Sequence, residues 1–194
     1  MKLRLNLGGL SGCVMRRPLP WMCFIPLVAS LACPAFSQSR YLKPDDFPTL
    51  PASVRHAITS QGCEIPQSSD QAAPHNIIRG QFAHLGQYDW AVICSKKKFS
   101  TILVFWGGQT RCSKRVWGPY QDEEVNRGID QAINGITHYF IRIRALTAAS
   151  FRKRGLTHLP VQPSHDSLEF IWPGSGSSVN YCSTGKWVKL SYAD

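Results

Sequence analysis

The chain has few acidic residues and lacks the short motifs that mark common catalytic and metal sites. It carries 12 acidic against 22 basic side chains, which gives a formal net charge of +10. No two of its cysteines form a C-x-x-C pair, and none of its six histidines lies in an H-E-x-x-H motif. These absences argue against a zinc knuckle, a dithiol redox motif and a zinc-protease site. We therefore predict no catalytic residue, no metal and no cofactor.

Only one long uncharged apolar run is present, and it lies near the start of the chain. The run WMCFIPLVASLACPAF covers residues 21–36, follows two arginines and ends in the small residues of Ala35-Phe36-Ser37. A basic start, an apolar centre and a small-x-small exit predict a secretory signal peptide over residues 1–37. Two prolines interrupt the run, which is also too short for a membrane span, so we expect no transmembrane span in the mature chain. Met15 opens a more compact signal than Met1 does, and we predict that translation starts there.

Removal of this leader changes the charge and fixes the compartment. The leader holds four basic and no acidic residues, so the mature chain carries +6 rather than +10. A moderately basic charge favours anionic partners such as cell-wall polymers, lipid headgroups or acidic proteins. We predict a periplasmic or secreted protein, and nucleic acid is disfavoured as a partner because an exported protein seldom meets it. A lipid anchor on Cys33 is the alternative, but Ser30 stands where a bacterial lipobox usually has leucine.

The leader contains three of the seven cysteines, and four remain in the mature chain: Cys63, Cys94, Cys112 and Cys182. Four cysteines in an exported chain predict two disulfides, for which three pairings can be drawn. We favour Cys63–Cys94, which would tie the opening helix to the central strand. The second bridge is then Cys112–Cys182, which would tie a middle loop to the C-terminal strands.

Two amphipathic stretches predict helices. Apolar residues in 49–62 recur at i, i+4, i+7 and i+8, with Thr49 available as the N-cap and Gly62 as the stop. Residues 119–134 again place apolar residues on one face, and three acidic residues from Asp122 onward would complement the helix dipole in the first turn. The sequence therefore predicts an N-terminal helix and a second, mid-chain helix.

Alternating, β-branched segments predict the remainder of the fold. Strands are expected at residues 76–82, 89–95, 100–106 and 137–145, and in a C-terminal meander at 167–172, 179–182 and 186–191. Lys96-Lys97-Lys98 would form the turn between the second and third strands. The predicted fold class is α+β with a mainly antiparallel sheet, forming a single domain over residues 49–194 after an extended lead-in over residues 38–48.

One segment resembles a known repeat. GQFAHLGQYDWAV, residues 80–92, followed by ILVFWGG, residues 102–108, is similar to a single degenerate FG-GAP repeat, the blade motif of integrin-α-type propellers. In that family, oxygen-bearing side chains of the loop bind calcium. The positions that match those ligands are Gln81, Ala83, Leu85 and Asp89. Alanine and leucine cannot ligate a hard cation, so the resemblance implies a turn capped by Asp89 without calcium.

The GCEIPQ segment and the HDSLEFIW and GKWVKL segments near the end also resemble small exported bacterial proteins of unassigned function. That resemblance implies one compact secreted domain and assigns it no activity.

Basic residues supply a candidate binding surface: Lys96, Lys97, Lys98, Arg142 and Arg144. A charged hairpin turn explains the lysine run by itself, whereas aromatic side chains stacked beside the arginines on an exposed sheet face could bind sugars or an anionic polymer. We predict an exported, non-enzymatic binding or interaction domain of unknown ligand.

Two other functions stay open at this stage. The first is an inhibitor of a secreted hydrolase, similar to lysozyme inhibitors, that would use the lysine turn or the loop 174–178. The second is a small hydrolase that would use His165 or His84 with Asp89 or Asp166.

Overall fold

A computed structural model describes residues 40–68, 71–122, 124, 141–156, 162–172 and 176–192. All of the described residues belong to one compact unit, Phe36–Asp194. The predicted signal peptide lies outside the described residues. So do residues 137–140 of one predicted strand and, except for Asp122 and Glu124, the part of the mid-chain helix after residue 121.

The described residues form an α+β fold of mostly antiparallel sheets. In chain order the elements are β1 (Arg40–Leu42), a 3-10 turn (Pro44–Asp46), α1 (Ala52–Ser60), β2 (Ile65–Gln67), β3 (Ile77–Gly80), β4 (Asp89–Lys96), β5 (Phe99–Phe105), β6 (Arg115–Gln121), β7 (Arg142–Leu146), α2 (Ala148–Lys153), β8 (Ser167–Trp172), β9 (Gly176–Ser183) and β10 (Lys186–Tyr192). The first large sheet has the order β3-β4-β5-β6, and the second has the order β10-β9-β8-β7. Strands β1 and β2 form a separate two-stranded ribbon.

Three hydrophobic cores explain why the central strands are apolar on both faces. The first core lies between the two large sheets and includes Ile93, Ile102 and Phe170. The second lies on the other face of the first sheet, where α1 and the ribbon cover β4 and β5. The third lies on the outer face of the second sheet, where Phe151 of α2 packs. Because β4 and β5 are covered on both sides, their sequences are continuous apolar runs.

Most tryptophans pack as part of these cores. The half-buried tryptophans that contact the core between the sheets are Trp106, Trp117, Trp172 and Trp187. The rings of Trp106 and Trp187 stack with their centroids 5.8 Å apart. These tryptophans therefore contribute to packing between the sheets.

The buried residue Asn76 joins three elements of the fold. Its backbone adopts a left-handed conformation with φ of 67°. Its side-chain amide donates to the carbonyls of Pro66 and Ile141, and its amide oxygen accepts from the N–H of Ile143. Its own carbonyl accepts from the N–H of Ile93. One side chain thus links the ribbon, the start of β7 and, through its backbone, β4.

Two disulfides add covalent links to this framework. Cys63 pairs with Cys94, with a Cα–Cα distance of 5.0 Å, and Cys112 pairs with Cys182, with a Cα–Cα distance of 6.1 Å. These are the pairings that the sequence analysis favoured. The first holds the residues after α1 against β4, and the second holds the β5–β6 loop against β9.

Several local predictions are corrected by the structure. Residues 119–121 belong to strand β6 rather than to the predicted mid-chain helix. Thr49 does not cap α1, because Pro51 occupies the N-cap position and makes no side-chain capping bond. Residues 66–67 form part of β2, and residues 176–178 of the expected loop 174–178 are buried in β9. Gly62 ends the first helical region with φ of 68°, as expected for a helix stop.

Residues of the predicted lead-in are part of the folded unit. Strand β1 pairs with β2, and Leu42 and Phe47 are buried in the core beneath α1. The extended conformation is limited to three residues, after which the chain turns at Pro44–Asp46.

Candidate binding surface

The turn between β4 and β5 is a two-residue hairpin turn made of lysines. Lys96 pairs with Phe99 across the strands, so Lys97 and Lys98 are the two central residues. Their φ values are 52° and 63°, both in the left-handed region. Two positive φ values are required by a type I′ turn, where Asn-Gly is the preferred pair. Left-handed backbone costs an ordinary residue about 1–2 kcal/mol. The turn therefore holds two exposed lysines at a cost in backbone energy.

Exposed aromatic rings surround this turn. Phe99 is 44% exposed, Tyr120 is 47% exposed and Tyr41 is 37% exposed. These are three of the five large exposed hydrophobic side chains among the residues that the structure describes. We call Lys97, Lys98, Phe99, Tyr120 and Tyr41 the basic–aromatic end.

The buried carboxylate of Asp122 fixes the base of this end. The hydroxyl of Tyr41 donates to Oδ2 of Asp122 at 3.0 Å, and the hydroxyl of Ser95 donates to the same oxygen at 2.7 Å. The N–H of Asp122 donates to the carbonyl of Lys98 at 2.9 Å. Asp122 therefore connects β1, β4 and the lysine turn. The sequence instead predicts that this carboxylate complements a helix dipole.

Tyr41 keeps its proton in this arrangement. Burial, followed by the negative charge of Asp122, raises the pKa of Tyr41 above its ordinary value of 10.0. The phenol therefore remains a hydrogen-bond donor over the physiological range, and its ring stays fixed beside the turn.

Lys96 differs from its two neighbours. Its ammonium donates to the carbonyl of Gln61, just after α1, at 3.0 Å. Lys96 therefore braces the hairpin against α1, whereas Lys97 and Lys98 are exposed at the tip of the turn.

The structure does not bring the two candidate arginines to the lysine turn. Both lie on β7 in the second sheet, where Arg142 pairs with Ile171 and Arg144 pairs with Glu169. Nε of Arg144 forms an ion pair with the fully buried carboxylate of Glu169. A second ion pair joins Glu169 to Nη1 of Arg154 at 2.6 Å. Arg144 thus compensates a buried charge, and the predicted surface divides into two separate places.

The loop that resembles an FG-GAP repeat is closed by hydrogen bonds to Asp89. Its Oδ2 accepts the N–H groups of Phe82 at 3.1 Å and Ala83 at 3.0 Å. Its Oδ1 accepts the side-chain amide of Gln87 at 2.7 Å and the N–H of Gly107 at 2.9 Å. Four donors therefore occupy the only carboxylate among the matched positions. Within the described ranges, no group of three or more His, Cys, Asp or Glu side chains could hold a metal ion.

Two glycines of this loop meet different structural requirements. A Cβ atom at Gly80 would lie 2.5 Å from the Phe82 ring. Gly86 has φ of 87° and lies in open space. Gly80 is therefore needed for packing and Gly86 for the turn.

The residues considered for hydrolysis have structural partners. His165 is buried against the Tyr181 ring, and its two ring nitrogens lie 3.1 Å from the carbonyl of Asp166 and 3.2 Å from that of Cys182. The Asp166 carboxylate accepts the N–H of Gln81 at 2.9 Å. His84 is exposed, with Nδ1 2.9 Å from the carbonyl of Leu85. The Asp166–Gln81 bond links the segment before β8 to the loop after β3. Neither His84 nor His165 pairs with the carboxylate of Asp89 or Asp166 through these contacts.

The sequence predicts the lysines of the basic–aromatic end as binding residues, but not Tyr41 or Phe99. Tyr41 lies in the lead-in, 81 residues before its partner Asp122. A contact of that separation leaves no local pattern. The sequence predicts a helix at Tyr120, whereas the structure places this residue in β6, where it pairs with Ser100 near the turn.

Comparisons of this chain with known protein families, with curated proteins and with solved structures gave no match. The resemblance to an FG-GAP repeat therefore stays a prediction. No helix in the described part of the chain is long and apolar enough to cross a membrane.

Proposed function

We propose that this protein is an exported, non-enzymatic binding domain that contacts an anionic partner through its basic–aromatic end. The observation that carries the proposal is the lysine pair at the two positive-φ positions of the β4–β5 turn. A turn selected for stability alone would contain Asn-Gly at these positions. Strained backbone at an exposed site supports a functional role for the side chains that it presents.

The surroundings of the turn support the same function. Asp122 and the Lys96–Gln61 contact hold the hairpin in place before any ligand arrives. A binding element that is already ordered loses less conformational entropy on association. Two disulfides are compatible with the exported location that the leader predicts.

The test combines the substitutions Lys97→Asn and Lys98→Gly. This variant replaces the lysines by the preferred type I′ pair, so it should fold at least as stably as the parent protein. We expect it to elute from a sulfated polysaccharide resin at lower salt than the parent, while its melting temperature stays equal or rises. A loss of binding could not then be attributed to unfolding.

The matched control removes two exposed lysines from β10, by Lys186→Gln with Lys189→Gln. This control changes the net charge by the same amount, but on the second sheet. Equal loss of retention in both variants would show that net charge alone drives binding, and the proposal would be abandoned. Absence of retention of the parent protein would also overturn it.

Inhibition of a secreted hydrolase is the second candidate function. It is favoured by the same braced, protruding turn, because inhibitors commonly present one ordered loop. The loop 174–178, considered for this role from the sequence, is buried from residue 176 onward. If the parent slows a lysozyme from a tested panel and the Lys97→Asn, Lys98→Gly variant does not, this function replaces the first.

A further inference from the structure

We propose that the anionic partner is a phospholipid bilayer, with the lysines at the headgroups and the aromatic rings in the interface. This inference rests on the proposed function and names the chemistry of its partner. It depends on the apolar side chains beside the turn, which a purely ionic partner leaves unexplained.

Phe99 provides the first argument. Its ring has no polar atom, is 44% exposed and lies directly across from Lys96 at the end of the hairpin. Contact with a soluble polyanion requires charge, and leaves such a ring in water. Contact with a bilayer removes apolar surface from water, which is favourable in proportion to the area buried.

The two tyrosines provide the second argument. Tyr120 is 47% exposed and packs against Trp117, with the ring centroids 4.6 Å apart. Tyr41 directs its hydroxyl to Asp122, so part of its ring faces the solvent. Amphipathic aromatic rings are enriched at the level of lipid headgroups. Both rings are held in place by internal contacts before membrane binding.

The type of cation provides the third argument. The tip carries two lysines and no arginine. Arginine suits bidentate recognition of one phosphate or carboxylate, whereas lysine acts as a point charge on a long apolar stem. Such a stem can lie along apolar surface while its ammonium stays among headgroups. Each lysine near an anionic membrane contributes about a fivefold gain in binding.

The experiment compares binding to anionic vesicles with retention on the sulfated polysaccharide resin, which carries charge but no bilayer. Sedimentation of the full chain with vesicles of phosphatidylglycerol and phosphatidylcholine should show binding that pure phosphatidylcholine vesicles lack. Phe99→Ser should reduce vesicle binding about five- to tenfold, because about half a phenyl ring no longer leaves water. The same variant should leave retention on the sulfated polysaccharide unchanged, and Phe99→Leu should keep most of the vesicle binding.

The control is Leu85→Ser, which removes the side chain that is 67% exposed in the loop before β4. This variant should bind vesicles as the parent does, because that loop and the lysine turn lie at opposite ends of β4. Equal vesicle binding by the parent and Phe99→Ser would overturn the lipid inference, as would an equal loss on both probes. The proposed function fails separately, if the Lys97→Asn, Lys98→Gly variant binds the polysaccharide as the parent does.

Discussion

Substitution of Asn76 tests whether one buried amide holds the fold together. The Asn76 side chain makes three hydrogen bonds, at 2.7 Å to the Pro66 carbonyl, 3.1 Å to the Ile141 carbonyl and 3.2 Å from the Ile143 N–H. Asn76→Ala removes all three and leaves their backbone partners in a buried site. It also places alanine at φ of 67°, where asparagine is better tolerated.

The expected cost follows from these contacts. A buried backbone group that loses its partner costs about 1–3 kcal/mol. The Ile141 carbonyl and the Ile143 N–H lose theirs, whereas the Pro66 carbonyl keeps the side-chain amide of Gln67 at 3.3 Å. Allowing for local relaxation, we expect Asn76→Ala to lower the free energy of unfolding by about 3–5 kcal/mol. Asn76→Gly loses the same hydrogen bonds but accepts the positive φ, so it should be less destabilising by about 1 kcal/mol.

Urea unfolding followed by tryptophan fluorescence measures both values on the purified, fully oxidised protein. The dependence of the free energy on urea should keep the parent slope, since the surface exposed on unfolding is nearly unchanged. A loss below about 1 kcal/mol for Asn76→Ala would refute the role given to this amide. A glycine variant as stable as the parent would show that backbone strain, not hydrogen bonding, decides the effect.

Three further substitutions test other parts of the structure. Thr184 occupies the first position of the β9–β10 turn with φ of 49°, so Thr184→Asn should stabilise the protein by about 1 kcal/mol in thermal unfolding, and a lower melting temperature would contradict this. Because the pKa of Tyr41 is raised, the unfolded chain loses the phenolic proton above pH 10 before the folded chain does, and stability falls with rising pH. Urea unfolding at pH 8 and 11 should therefore show a stability advantage of the parent over Tyr41→Phe that shrinks at the higher pH; a constant difference would count against the Asp122 contact. Replacement of Arg144 and Arg154 together by methionine removes two cations from the buried Glu169 and should cost about 3 kcal/mol in urea unfolding, a value that an effect near zero would rule out.

Strands buried on both faces could be predicted from sequence with accuracy of one or two residues. The sequence predicts β4 at 89–95, and the strand runs over Asp89–Lys96. It predicts β5 at 100–106, and the strand runs over Phe99–Phe105. Their apolar character is continuous because α1 covers one face and the second sheet covers the other. The local sequence is then sufficient to show both their type and their limits.

Strand β6 could not be predicted, because it is not buried as β4 and β5 are. It is the edge strand of the first sheet and is largely exposed, so its sequence lacks apolar alternation. It also contains Gly118 and Pro119, which punctuate a sequence as a turn does. Proline is tolerated there because an edge strand has one side without ladder partners. The acidic residues that follow suggested a helix start, and the sequence offered no signal that Asp122 is buried.

The candidate site likewise has one part that the sequence shows and one part that only the folded structure shows. The lysine turn follows from two flanking strands and is visible in the sequence. The interactions that distinguish the lysines from the arginines are long-range: Arg144 lies 25 residues from Glu169, and Tyr41 lies 81 residues from Asp122. Charge and periodicity along the chain do not report such pairs.

Each large sheet is built from one continuous stretch of the chain, β3 to β6 from residues 77–121 and β7 to β10 from residues 142–192. When the chain emerges N-terminus first, the first sheet and the Cys63–Cys94 bridge can therefore form before the residues of the second sheet have emerged. That order matters for oxidation, because Cys94 and Cys112 are the nearest cysteines in sequence among the four. Once Cys94 is bonded to Cys63, Cys112 has one remaining partner, Cys182, which arrives with the last hairpin. The layout of the sheets therefore allows the Cys63–Cys94 bridge to form before Cys182 is available.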